Sequence, residues 1–415
     1  LWQGSWLAAL IVGVLVWGLL IWAIVAYRRK EGDGLPEQTR YNVPLEILYT
    51  VAPLLMILAL FYFTQRDQTI LTKVDDTSSH SVNVVGWRWS WAFNKSCNLK
   101  HVQKAAPVIR DISLLSQELM TDIKKDPSFT FHYQKKGLFM LCQTEKMLEE
   151  ELEVAKYAVE LGLAAKEVSR LEIQQMEPDV NINAIGAAYF ECDHHSTPQE
   201  FMTELKAYLT NAGVNIYANE KVLDIVLKNH GVESIITSNR AFKPDEIVMA
   251  AGSWSALLAK KLGVKLLLQA GKGYRINTER ETGIKIPAIL AEAKAAVTPM
   301  NGFTRFAGTM EIAGINHDIN KVRVEAIAKA ATQYYPDVKL TVEEIGDAAC
   351  GLRPVTPDGL PYIGKSKKCN NLTIAAGHAM MGWSMSTATG KLVSEIISTK
   401  KPSLNLEFFN PDRKF

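Results

Sequence analysis

Hydrophobic positions are distributed very unevenly along this chain. Residues 1–27 carry no charged side chain, and a second apolar run extends from residue 47 to residue 63. At a rise of about 1.5 Å per residue, the first run is long enough to cross a bilayer core of about 30 Å. The pattern therefore predicts a transmembrane hairpin of two helices over residues 1–66.

Four basic residues lie between the two apolar runs: Arg28, Arg29, Lys30 and Arg40. The positive-inside rule places this loop in the cytoplasm and the residues after Thr64 outside it. A cleavable signal peptide is a poorer interpretation of the first run, because no basic stretch precedes it and a second apolar run follows. We therefore expect a membrane location.

Aromatic residues recur at every second position in the segment that follows: Trp87, Trp89, Trp91 and Phe93. This period of two predicts a strand, and we assign residues 67–95 to a strand segment. From about residue 96 the pattern changes to that of an amphipathic helix. No glycine or proline marks the change at 94–96, so this point is a candidate junction between two different proteins.

The rest of the chain has the texture of a soluble α/β protein. Helical periodicity predicts helices over 99–124 and 144–175. A third helix is predicted to begin with Thr197 as N-cap, Pro198 in the first position and Glu200 completing a capping box, and Gly213 is expected to end it.

Strand patterns follow in NIYANEKVLDIVL, ESIITSN and LLLQAGKGYRINT. The segments FKPDEIVMAAGSWSALLAKKLG and NLTIAAGHAMMGWSMSTATGKLVSEII each read as a buried strand, a turn or loop of small residues, and a helix. Small residues at such a turn let the backbone approach a ligand closely, and a helix N-terminus favours negative charge.

Charge and cysteine content exclude several function classes. The formal net charge is only +2, so nothing indicates a nucleic-acid partner. Five widely spaced cysteines form no CxxC or CxxxC motif, which leaves zinc, haem and a disulfide framework without a signal. His194 and His195 are neighbours on a chain that reads as extended, where they would face opposite sides. We therefore predict no metal site.

Residues 1–95 resemble subunit II of bacterial cytochrome c oxidase, through GSWLAALIVGVLVWGLLIW, RYNVPLEILYTVAPLLMILALFYFT and VNVVGWRWSWAFN. The resemblance implies a bacterial inner-membrane protein, with Trp89 near a point of electron entry; packing or an interfacial belt explains the tryptophans equally well. The copper ligands of that family, including its CxxxC pair, do not follow. One alternative function is thus a respiratory membrane subunit without its copper site.

Residues 96–415 resemble the FAD-dependent D-amino-acid dehydrogenases of the D-amino-acid oxidase superfamily. The strongest motifs are GLRPVTPDGLPYIG, at 351–364, and the strand–loop–helix segment at 371–397. The resemblance implies an α/β (α+β) FAD-dependent oxidoreductase fold. It places the cofactor layer at about 210–260 and 345–400, and the substrate domain at about 130–200 and 265–345.

The same resemblance implies FAD as the cofactor and a small amino acid as the substrate. Arg353 of the GLRP motif would bind the substrate carboxylate, although a lone arginine is more often a surface ion pair, and Tyr274 and His378 would line the site. Hydride would pass to the flavin and electrons onward to a membrane quinone. The residues expected beside the cofactor are Val222, Ala251, Gly252, Gly273, Gly351, Gly377, His378, Ala379, Met380, Met381, Gly382, Trp383, Ser384 and Met385.

One part of that family is missing from this sequence. A dinucleotide-binding βαβ unit carries GxGxxG, and neither GKGYRI nor GHAMMG has the required spacing and context. We therefore expect an incomplete fold, preceded by the transmembrane hairpin, and a junction near 94–96. A non-catalytic fusion product is a further alternative.

Overall fold

The computed structural model describes residues 2–26, 43–44, 47, 51, 83–87, 90–94 and 99–414. They divide into two compact units, residues 1–79 and residues 80–415. In the first unit, helix α1 spans Trp2–Ala26, where the sequence predicts the first helix. Over the described residues, no helix combines the length and the apolar character needed to cross a membrane. The first predicted helix is therefore present, whereas most of the second predicted run lies outside the described residues.

The second unit contains eight further α-helices among its described residues. They are α2 Leu99–Ile123, α3 Glu145–Glu160, α4 Arg170–Met176, α5 Pro198–Asn211, α6 Ser255–Lys261, α7 Lys321–Tyr334, α8 Val342–Gly346 and α9 Ser386–Ile397. The single helix predicted over 144–175 is wrong, because a strand separates α3 from α4. Ser169 begins α4 with a capping box that includes Glu172, so the chain restarts a helix there.

Eighteen strands are described. They are β1 Asn83–Trp87, β2 Ser90–Asn94, β3 Tyr133–Gln134, β4 Leu138–Cys142, β5 Ala165–Ser169, β6 Gly186–Phe190, β7 His195–Ser196, β8 Val222–Lys228, β9 Gly231–Thr237, β10 Ala241–Phe242, β11 Ile247–Met249, β12 Gln269–Thr278, β13 Ala288–Leu290, β14 Ala295–Met300, β15 Phe303–Glu311, β16 Ala349–Val355, β17 Tyr362–Lys365 and β18 Leu372–Ala376. Strands β1 and β2 pair antiparallel, with Trp87 opposite Ser90, so the single strand predicted through Trp87 and Phe93 is wrong and the segment forms a hairpin.

The largest sheet has eight strands in the order β16-β12-β15-β14-β13-β4-β6-β5. Strands β13 and β4 run parallel, and the other neighbours run antiparallel. Helix α7 packs against one face of this sheet. Its buried Val324, Ile327 and Ala331 lie in the same core as Phe306 of β15 and Tyr274 of β12. The sheet contains most of the predicted substrate domain and also takes in β16, from the predicted cofactor layer.

A smaller sheet, in the order β11-β18-β17, combines a parallel and an antiparallel pair. Helices α2 and α9 pack together over Ile363, and Ile374 belongs to a second core that includes residues of α6 and β9. Side chains on the two faces of this sheet thus enter two different cores. The sheet is therefore the middle layer of a three-layer arrangement. It lies within the region predicted to hold the cofactor.

The start of α5 differs in detail from the prediction. Pro198 does occupy the first turn, but the Thr197 side chain makes no capping hydrogen bond. Its hydroxyl instead accepts from Asn301 N at 2.9 Å, and Glu200 accepts from His132 N at 2.7 Å. These tertiary partners replace the capping box. Gly213 has φ +86°, which suits the residue that ends the helix, as predicted.

Candidate functional site

A cleft of about 320 Å³ opens on one face of the large sheet, where β12, β15 and β16 lie side by side. Its walls include three arginines, and no acidic residue among the described ones lines it. The lining residues are Gly273, Tyr274, Arg275, Arg305, Ala307, Cys350, Gly351, Leu352, Arg353, Pro354 and Ala379. Several residues that the sequence separates widely therefore meet here.

Strand register determines which side chains face the cleft. Gly273 pairs with Gly351, and Arg275 pairs with Ala307 on the other side of β12. Since alternate residues of a strand point to the same face, Gly273 and Arg275 share a face with these partners and with Arg353. Gly273 and Gly351 therefore contribute no side chains of their own to this part of the cleft.

The guanidinium of Arg353 lies directly over Gly273. A Cβ added at Gly273 would come within 2.1 Å of Arg353 Nη1, so only glycine leaves room for the guanidinium. Arg353 Nη1 donates to the carbonyl oxygen of Thr309 at 2.7 Å. Burial lowers the pKa of Arg353, and no carboxylate among the described residues lies within 4.0 Å to compensate its charge. A partly buried guanidinium without a carboxylate partner is well suited to bind a carboxylate.

A β-bulge in β15 places the Thr309 carbonyl in that position. The pairing of β12 with β15 shifts between Lys272 and Tyr274, and Thr309 has φ +64°. Positive φ is costly for a β-branched residue, so the surrounding sheet must impose it. Backbone strain at Thr309 thus helps to hold Arg353 over the cleft floor.

The Tyr274 side chain does not line the site, contrary to the prediction. Its side chain is buried on the opposite face of the sheet, where the hydroxyl donates to Glu311 at 2.7 Å. Burial and this hydrogen bond raise the pKa of Tyr274 to about 12. The phenol therefore lies in the core against α7 and cannot touch a substrate in the cleft; only the backbone of Tyr274 belongs to the wall.

The loop between β18 and α9 forms one rim of the cleft through Ala379. Two residues of this loop have positive φ, Gly377 at +85° and Ala379 at +47°. A Cβ at Gly377 would lie 2.6 Å from Thr356 Cγ2. The turn therefore requires glycine at 377, both for its positive φ and for the lack of space for a side chain. His378 is held by a 2.9 Å hydrogen bond from its Nε2 to Thr389 Oγ1, inside α9.

The remainder of the loop lies elsewhere. Met381, Trp383 and Ser384 line a second cavity of about 210 Å³ with residues of α2, and Trp383 Nε1 donates to Ser196 Oγ at 2.9 Å. The Met385 side chain is buried in the core between α2 and α9, which corrects the expectation that it faces a cofactor. Met380 is exposed, and Gly382 follows the 3-10 turn of Ala379–Met381.

The N-terminus of α9 is also already partnered. Ser386 N donates to Trp383 O at 3.2 Å, and Ala388 N donates to Ser116 Oγ of α2 at 3.5 Å. These two N–H groups are therefore not free to bind a cofactor, contrary to the expectation for this helix end. Donors of the preceding loop are better placed, because Ala379 lies on the cleft itself.

The other predicted cofactor residues lie on neighbouring elements. Val222 begins β8, in the small sheet β10-β9-β8, and lines neither cavity. Ala251 and Gly252 form the turn before α6, and Gly252 has φ +52°. Next to them, Ser253 Oγ donates to Leu352 O at 3.2 Å, which ties this turn to the cleft strand β16. Their contact with a cofactor stays a prediction.

Sequence reasoning missed Arg275 and Arg305, which line the cleft beside Arg353. A signal was present, because Arg275 stands two residues after Gly273 and must share its face. It also missed the hydrogen bond between Tyr133 and His194 at 2.7 Å, at the second cavity. His195 turns the other way, against His132, as the extended chain predicts. Over the described residues, no group of side chains is placed to hold a metal ion.

The pKa values of two partly buried histidines predict how the stability of the fold depends on pH. Burial is the main cause that lowers the pKa of both His378 and His195 to about 4. The unfolded chain binds these protons near pH 6.5, so falling pH favours unfolding between about 6.5 and 4. We expect the unfolding temperature to be highest above this window and to fall through it. Thermal scans from pH 7 to 4 should show a shallower fall for His378→Gln; an unchanged slope would contradict this.

These residues can be compared with what FAD requires. The open floor at Gly351, where an added Cβ would meet no atom within 4 Å, and the backbone of Ala379 suit a planar ring, whereas the Arg353 guanidinium occupies the space over Gly273. Thr309 Oγ1 and Arg305 Nη2 are buried polar atoms without a hydrogen-bond partner among the described residues. The described residues thus fit the ring end of the cofactor, whereas a GxGxxG site for its pyrophosphate is absent from the sequence.

Comparison with known proteins gives a consistent result. A family model described as FAD dependent oxidoreductase matches residues 74–396 and so includes the tryptophan-rich strands. A D-amino acid dehydrogenase from Helicobacter pylori is 30% identical over 320 residues, covering 76% of this chain and 75% of that protein. One from Vibrio atlanticus is 27% identical over 359 residues, covering 84% and 82%.

Two solved structures show the same fold. Glycine oxidase from Geobacillus kaustophilus matches with a TM-score of 0.67 at 23% identity, covering 74% of this chain and 83% of its own. L-proline dehydrogenase from P. horikoshii matches with a TM-score of 0.64 at 20% identity, covering 72% and 81%. The α/β oxidoreductase fold predicted from the sequence is confirmed for this part of the chain.

Proposed function

The chain belongs to the family of FAD-dependent oxidoreductases, and from this premise we propose that it oxidises the Cα–N bond of a D-amino acid or a small amino acid. One observation carries the proposal. The partly buried guanidinium of Arg353, with no compensating carboxylate among the described residues, lies over Gly273 in the cleft. The names of the relatives, D-amino acid dehydrogenase and glycine oxidase, support the substrate class.

Arg353 would bind the substrate carboxylate through two parallel N–H···O hydrogen bonds. The hydrogen bond from Arg353 to the Thr309 carbonyl fixes the plane of the guanidinium. That plane would in turn set the direction in which the α-carbon of the substrate lies. The open position at Gly351 leaves space beside the guanidinium for the α-carbon of the substrate. Positioning of this kind supplies much of the rate enhancement in a transfer between two bound groups.

When bound, FAD supplies the two-electron acceptor. The residues of the chain that would hold its ring are Gly351 and Ala379, by their backbone. His378 is neutral at pH 7, because burial holds its pKa at about 4, and it therefore adds no positive charge beside the loop. No general base is needed if the substrate amine arrives neutral.

The acceptor of the electrons is a further part of the proposal. We infer that electrons pass to a membrane quinone or another carrier rather than to oxygen, since the two relatives compared by sequence are named dehydrogenases. The uncharged run 1–27 would supply attachment to a membrane. The origin of residues 1–95 in an oxidase subunit, with a junction near 94–96, likewise stays a prediction. The loss of activity expected from the missing GxGxxG unit also stays a prediction.

The test is the visible spectrum of the purified chain supplied with FAD, before and after D-alanine is added without oxygen. A bound flavin spectrum that bleaches supports the proposal. A chain that never retains flavin, while a version extended by a GxGxxG unit does, would show that this chain has the fold of the family without its activity. Flavin that binds and never bleaches with any amino acid would contradict the substrate class.

A further inference from the structure

Two more arginines share the cleft with Arg353. Arg275 lies on β12 and Arg305 on β15, and the register places both on the same face as Arg353. Arg305 Nε donates to Asn277 Oδ1 at 3.1 Å, whereas its Nη2 atom is buried without a hydrogen-bond partner among the described residues. Burial, and then the nearby charge of Arg275, lower the pKa of Arg305.

This arrangement is unfavourable unless an anion joins it. Burying a guanidinium without an acidic partner costs free energy, and a second like charge beside it adds to the cost. Among the residues that the structure describes, no Asp or Glu oxygen lies within 4.0 Å of Arg275 or Arg305. Elsewhere in the sheet region the arginines are paired, as Arg280 is with Glu344 and Arg323 with Glu311.

The spacing along the sheet relates this pair to Arg353. The Arg353 guanidinium covers Gly273, and Arg275 is two residues further along β12, about 7 Å in an extended strand. Arg305 lies opposite Asn277, another two residues on. A small molecule whose α-carboxylate binds Arg353 therefore has its side chain free to extend toward Arg275 and Arg305.

From these positions we infer that Arg275 and Arg305 bind a second carboxylate on the substrate, so that the cleft selects amino acids with an acidic side chain. The inference rests on the proposed function, since it takes the α-carboxylate to bind Arg353. Charge-assisted hydrogen bonds would favour such a side chain over its neutral amide. The size of that effect is about 10- to 100-fold in kcat/KM.

The first experiment compares D-glutamate with D-glutamine on the full chain supplied with FAD. These substrates differ only in side-chain charge, and we expect a ratio of kcat/KM of about 10 to 100 in favour of D-glutamate. In Arg275→Gln the ratio should fall toward one, while Arg170→Gln, an exposed arginine at the start of α4 near the opposite edge of the sheet, should keep it. Equal use of both substrates by the parent chain would overturn the inference.

The second experiment does not require turnover. Glutarate should raise the unfolding temperature of the chain more than butyrate does at equal concentration, and Arg275→Gln should abolish the difference. If D-alanine fails to bleach the flavin but glutarate still stabilises through Arg275, the proposed function fails and the dicarboxylate site stands. If inorganic pyrophosphate stabilises through Arg275 and glutarate does not, the pair binds phosphate and the inference is wrong.

Discussion

Replacing Arg353 with alanine should lower kcat/KM for D-alanine by roughly 30- to 5000-fold, which corresponds to about 2–5 kcal/mol. The guanidinium lies directly over Gly273 in the cleft, and without it the α-carboxylate of the substrate would lose its charged partner there. Arg353→Lys should recover only part of the loss, because an ammonium keeps the charge but cannot make two parallel hydrogen bonds. Steady-state kinetics with an artificial electron acceptor would measure both variants.

The stability of the same variants provides the control. Arg353 donates one hydrogen bond to Thr309 and has no carboxylate partner among the described residues, so its removal also removes a buried charge. We expect the unfolding temperature of Arg353→Ala to stay close to that of the parent chain. A large fall in stability together with the loss of activity would instead indicate a structural role.

Gly273→Ala should be almost as damaging to activity, although it deletes no functional group. The new Cβ would lie 2.1–2.3 Å from three atoms of the Arg353 guanidinium, which must then move and lose its contact with the Thr309 carbonyl. Because the obstructing atoms are the end of a flexible side chain, the fold can accommodate the methyl group. We expect KM for D-alanine to rise at least 10-fold, while stability changes by less than about 1 kcal/mol.

Gly390→Ala is the matched control for this substitution. Gly390 is exposed within α9, and an added Cβ there meets no atom within 4 Å. Alanine in an exposed helix position should raise stability by about 0.5–1 kcal/mol and leave KM as it was. Equal KM values for Gly273→Ala and the parent chain would show that the position of Arg353 does not control substrate binding.

Local patterns predict the elements that carry the site. The period of two in LLLQAGKGYRINT and the strand–loop–helix segment at 371–397 indicate β12, β18 and α9, because side-chain spacing reflects backbone geometry directly. The GLRP motif draws attention to Arg353 through its resemblance to a family. These signals depend on residues close together in the chain.

The missed features depend on pairings between distant residues. Alternation divides the residues of β12 into two faces, but glycines at 271 and 273 carry no hydrophobicity to show which face meets the core. The family resemblance places Tyr274 at the site, whereas its side chain packs beneath α7. The bulge at Thr309 arises from the register between β12 and β15, and no local signal in either strand predicts it. Likewise, tertiary hydrogen bonds replace the expected cap at Thr197.

The connectivity of the large sheet has a consequence for biosynthesis. Its parallel seam joins β4 to β13, and its edge strand β16 follows both in the chain, so the pairings have high contact order. A ribosome must deliver everything up to Val355 before Arg353 can lie across Gly273. The cleft should therefore form late, and until β16 is available nascent chains should expose to chaperones the edge of β12 that β16 covers, since only the other edge can pair with β15.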